Sequence, residues 1–76
     1  MGTTAPVWLA RFAAELGVDP PTPEEIDVLL ALAGHAAHAS ERTAAPVGCW
    51  LAARSGLTPD EALAAARRMA VPDAET

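Results

Sequence analysis

The chain has 76 residues and a formal net charge of −5, from ten acidic and five basic side chains. Nucleic-acid binders neutralise phosphates with a basic stripe, which this balance excludes; only Arg67-Arg68 is locally basic. The hydrophobic share is 51%, but nineteen residues are alanine, which favours helices and contributes little burial.

The first helix is expected over about 5–16. Thr4 precedes it, Pro6 takes an early helical position, and Gly17 is a natural C-terminal cap. Trp8, Leu9, Phe12 and Leu16 fall on one face. After the stiff turn Val18-Asp19-Pro20-Pro21, a second helix is expected over about 23–41. Thr22-Pro23-Glu24-Glu25 opens it with an N-cap, a proline at the first position and a capping-box glutamate. Its apolar positions, including Val28, Leu29, Leu30, Leu32 and Ala36, cover roughly 200° of the wheel, about twice what one contact buries. This helix should therefore be central.

The third helix is expected over about 45–55, starting near Ala45-Pro46 and ending at Ser55-Gly56. Ala45, Gly48 and Ala52 form its narrow side; Val47, Trp50 and Leu51 form its bulky side. The fourth, about 59–70, repeats the start signal as Thr58-Pro59-Asp60-Glu61 and stops at Val71-Pro72. No segment alternates as a strand does. The expectation is an all-α single domain, 1–76, built as a compact array of four short helices. Residues 5–70 form the ordered core, with 1–4 and 72–76 flexible. Its core anchors are read as Trp8, Phe12, Leu29, Leu30, Trp50, Leu51 and Leu63.

The lone Cys49 excludes an intrachain disulfide and a cysteine-based zinc site, and suits a reducing compartment. No apolar run approaches the ~20 residues of a membrane span, and no signal-peptide pattern opens the chain. These features point to a soluble cytoplasmic protein. With few large apolar residues, its core is thin, which favours a homodimer or docking on a partner protein.

One stretch, His35 to Pro46 (HAAHASERTAAP), gathers both histidines with Glu41 and Arg42. Four readings compete for it. His35 and His38, with Glu41 or Asp27, supply metal-ligand types, but Arg42 beside His38 opposes a cation. The N-terminus of the third helix, at Ala45-Pro46, offers amide groups to an anion such as a pterin phosphate or nucleotide, with Arg42 as clamp, His38 as second donor and Glu41 alongside. His38 with Glu41 resembles an oriented base, yet neither Ser40 nor Cys49 is placed as its nucleophile. The plainest reading is structural: His38 and Arg42 bond the free carbonyls ending the second helix. His35 is read as a half-exposed surface residue. No catalytic residue, metal site or cofactor is assigned, and the chain reads as a non-enzyme.

An early Trp8, a central Ala37-His38 with Arg42 and Ala45-Pro46, then an apolar helix ending at Gly56, resemble a small uncharacterised helical domain of high-GC bacteria. That domain occurs alone or fused to molybdenum-cofactor guanylyltransferase, the molybdopterin-guanine dinucleotide biosynthesis protein. The resemblance spans roughly residues 7–70. It implies an accessory module linked to molybdenum cofactor biosynthesis, with the guanylyltransferase as partner. The chain has no glycine-rich nucleotide loop and no acidic metal cluster on a sheet, so it is not the transferase itself. The expected function is a non-catalytic protein-interaction module; the alternative is a binder of an anionic small molecule at the seam between the second and third helices.

Overall fold

Helices form where their capping residues place them. In the computed structural model, which describes residues 2–69, α1 is Ala5–Leu16, α2 is Pro23–Ala39, α3 is Ala44–Ser55 and α4 is Pro59–Arg68. The all-α class and the four helices agree with the sequence reading, and no strand occurs among the described residues. Met69 is already extended (φ −74°, ψ 140°), so α4 ends short of residue 70. The expected stop at Val71-Pro72 and the tail at 72–76 lie outside the described residues.

Both TPxE starts are complete capping boxes. The Thr22 N–H donates to Glu25 Oε1 at 2.8 Å, and the Glu25 N–H returns to Thr22 Oγ1 at 3.1 Å. At α4 the Thr58 N–H donates to Glu61 Oε1 at 2.9 Å and the Glu61 N–H to Thr58 Oγ1 at 3.2 Å. Each box satisfies two amides that a bare helix end leaves orphaned. At the opposite ends of α1 and α3, Gly17 and Gly56 adopt left-handed backbone (φ 77° and 79°), where a Cβ would be strained.

α2 is the central helix. It packs on both α3 and α4, and these two touch each other only lightly. The core is small: Leu32, Ala62 and Leu63 are buried together, with Val28, Leu29, Cys49, Ala52 and Ala66 packed around them. The Cys49 thiol points at the Leu29 carbonyl across the α2–α3 contact, at 4.0 Å. α1 stands apart, with far less contact to its neighbours, and buries only Ala13.

Five expected core anchors are corrected by this packing. Trp8 (53% exposed), Phe12, Leu30, Trp50 (58%) and Leu51 all lie on the surface. Of the remaining two, Leu63 is buried and Leu29 is packed against the core. The reason is steric. Helices approach most closely across small side chains, because the interaxial distance follows the residues at the contact. In this alanine-rich chain the tight seams are made by Ala62 and the Gly48–Ala36 crossing, where a Cβ on Gly48 would meet Ala36 Cβ at 3.7 Å. The bulky faces are left pointing outward. Trp8 and Phe12 stack on each other (centroids 5.0 Å, planes tilted by 32°), and Arg54 lies over the Trp50 ring at 4.7 Å.

Candidate functional site

Two places carry the residues of interest: the turn between α2 and α3, and a groove between α2, α3 and α4. The turn is short because α2 stops at Ala39. Ser40 leaves helical geometry (φ −133°, ψ −101°), its N–H still donating to the Ala36 carbonyl at 3.0 Å. A serine followed by residues with no apolar neighbour to pack against has little to hold it in a helix. The expected extension to residue 41 is therefore absent, and the i,i+4 relation that set His38 beside Arg42 is broken.

His38, Glu41 and Arg42 are exposed, and none makes a side-chain hydrogen bond among the described residues. α3 starts at Ala44, before the expected Ala45-Pro46, which makes Pro46 its third residue. Proline is tolerated there because that amide would have no intrahelical partner. The Ala44 N–H donates to the Glu41 carbonyl at 2.9 Å and the Ala45 N–H to the Arg42 carbonyl at 3.1 Å. Two of the amides expected to face an anion are thus already engaged, and Pro46 has none. Nor do three His, Cys, Asp or Glu side chains converge in metal-holding geometry among the described residues.

The tie to a helix end that was expected of His38 and Arg42 is made by His35 instead. Its Nε2 lies 3.2 Å from the carbonyl oxygen of Ala66, in the last turn of α4. A carbonyl only accepts, so Nε2 carries the proton, and it is the second donor to this oxygen, which also accepts from the Met69 N–H at 3.2 Å. His35 is half-buried, which agrees with its reading as half-exposed; the bond to α4 is what that reading did not include. The signal was present: Leu32 and Ala39 lie three before and four after it, on the face that α2 turns to α4.

His35 also stands at the wall of the groove. This cavity of about 580 Å³ runs between the second half of α2, the inner side of α3 and the end of α4. Ala36, Gly48, Ala52 and Ala66 form its narrow walls, with Leu32 beneath and Val47, Leu51, Leu57 and Met69 about its rim. Only His35, Ser40 and Ser55 bring side-chain polar atoms to the lining, and two of these are occupied. His35 bonds Ala66, while the Ser55 hydroxyl donates to the Ala52 carbonyl at 2.6 Å and accepts from the Leu57 N–H at 3.1 Å. A groove of this kind offers shape and apolar area, with almost no unspent hydrogen bonding. Of the residues assigned to the polar seam (His38, Glu41, Arg42, Ala45 and Pro46), none lines it.

No described helix is long and apolar enough to cross a membrane. The sequence profile of a family described as "Domain of unknown function (DUF6457)" matches residues 2–75. No curated protein and no solved structure matches the chain.

Proposed function

We propose, for a chain that belongs to the family of domains of unknown function DUF6457, a non-catalytic helical module that docks a protein partner through its apolar surface. The observation that carries this reading is the groove between α2, α3 and α4, lined almost wholly by apolar atoms and flanked by exposed Val47 and Leu51. Its concave form and its scarcity of unpaired polar groups, rather than its extent, favour an apolar occupant. Catalysis draws no support from the groove, whose only imidazole is spent on a backbone carbonyl. The anion-binding alternative at Arg42 and His38 is weakened by the engaged amides of Ala44 and Ala45.

The resemblance to the domain that accompanies molybdenum-cofactor guanylyltransferase supports that enzyme, in the cytoplasm, as a partner. Calorimetric titration of the chain into the transferase tests this link. Saturable binding with a negative heat-capacity change is expected, the mark of buried apolar surface. The docking reading fails if the chain binds neither the transferase nor itself at micromolar concentration.

A further inference from the structure

α1 is closed on itself. Its first turn is held by the Trp8 N–H, which donates to the Thr4 carbonyl at 3.0 Å. Its last turn is closed by the N–H groups of Gly17 and Val18, which donate to Ala14 and Ala13 at 3.1 and 2.9 Å. α2 closes its own start in the same way, through the Thr22–Glu25 capping box. Between them Pro20 and Pro21 have no N–H to offer. Among the described residues, no hydrogen bond joins α1, Gly17 or Val18 to any later element. The other three helices are joined: His35 bonds α2 to α4, and the Cys49 thiol of α3 points at the Leu29 carbonyl of α2.

Burial divides the chain at the same place. The face by which α1 docks is narrow: Leu9 is half-buried and Ala13 is buried, one helical turn apart, and every other residue of α1 is exposed. The cluster of Leu32, Ala62 and Leu63, with the side chains packed around it, draws on α2, α3 and α4 and on nothing from α1. Releasing α1 therefore exposes little more than one leucine and one alanine. Separating α2 from α4 exposes the whole core. A helix of 12 residues is marginal in water without a surface to pack on, so α1 loses its helix when it is released.

We propose that α1 is a separately opening arm: it undocks and melts as one unit, and re-forms, while α2, α3 and α4 stay folded. Proteins open in cooperative units whose cost follows the contacts broken, and α1 breaks the fewest here. Two surface features change in the same step. Pro6 and Ala10 form one wall of a cleft of about 390 Å³ whose other wall runs along Pro20, Pro21, Pro23, Ile26 and Asp27, so release of α1 abolishes the cleft. The Trp8–Phe12 stack, with centroids 5.0 Å apart, depends on helical i,i+4 register and is lost with it. The arm opens whether or not a partner occupies the groove between α2, α3 and α4.

Amide hydrogen exchange followed by NMR on the full chain reads this unit directly. Corrected for intrinsic rates, the amides of Phe12 to Leu16 are expected to exchange at least about tenfold faster than those of Leu32 to Ala36. Low urea should hardly change the α1 rates, because its opening exposes little surface, but should raise those of α2. Ala13→Glu puts a charge on the docking face. It is expected to speed α1 exchange by at least about a further tenfold, since a carboxylate is costly to bury, and to leave Leu32 and Leu63 unchanged. Wild-type α1 amides that exchange at the α2 rate overturn the proposal. Protection that falls steadily from Leu16 to Trp8 also overturns it, because that is end fraying and not a unit. So does an Ala13→Glu chain that exchanges faster at Leu32 and Leu63 or fails to fold, since α1 then belongs to the common core.

Discussion

His35 on α2 donates through Nε2 to the carbonyl oxygen of Ala66 on α4, 3.2 Å away and 31 residues along the chain. Among the described residues it is the side-chain hydrogen bond that joins these two helices, and it shares the Ala66 carbonyl with the Met69 N–H. Replacing His35 with alanine is expected to cost about 1 kcal/mol, the usual net worth of such a bond. In a domain of this size that lowers Tm by about 4–8 °C. His38→Ala is expected to stay within about 0.5 kcal/mol, since its side chain is exposed. Urea unfolding of the two variants side by side measures the difference; equal losses would remove His35 from its joining role.

The three threonines that precede α2, α3 and α4 are not equivalent. Thr22 and Thr58 cap through their hydroxyls, whereas Thr43 has helical backbone and no side-chain cap bond. Thr22→Ala and Thr58→Ala are each expected to cost about 1 kcal/mol. Thr43→Ala should be near neutral. Thermal melts followed at 222 nm, a wavelength standard for helix content, rank the three.

Glycines divide by backbone and by space. Gly34 lies inside α2 with nothing within 4 Å of an added Cβ, so Gly34→Ala is expected to stabilise by about 0.5–1 kcal/mol. Gly17 and Gly56 also have open space, but their φ is positive. Alanine at either should cost about 1–2 kcal/mol. Opposite signs from sites equally free of steric contact would show that backbone, not packing, governs the outcome.

Leu32 is 5% exposed at the centre of the core, and Leu32→Ala is expected to cost about 2–5 kcal/mol. That loss is comparable with the whole stability of a small domain, so the variant should lose cooperative unfolding. Trp50→Ala gives up chiefly its contact with Arg54, worth about 0.5–1 kcal/mol at an exposed site. Chemical denaturation of both variants checks the contrast, which is the reverse of what side-chain size alone suggests.

Helix positions were legible because they are written in local chemistry. Thr-Pro-x-Glu starts and glycine stops act within a few residues, and each formed as the sequence implies. The packing was less legible, because it depends on which face of each helix wins. Apolar size pointed to Trp8, Phe12 and Trp50, but close approach belongs to Ala62 and Gly48, which a wheel scored by hydrophobicity undervalues. The polar seam was misjudged for a related reason. His38 and Arg42 align only if α2 continues beyond Ala39, and the break at Ser40 rests on the absence of tertiary support, which no local pattern records. His35 was read as a half-exposed surface residue with no partner, although its register with Leu32 placed it against α4.

The walls of the groove also bear on how this surface can change. Ala36, Ala52 and Ala66 can each lose only a methyl group and Gly48 nothing, so these walls offer almost no room to deepen the site. Nearly every substitution there makes the groove shallower, so a gain in fit comes mainly from whatever occupies it.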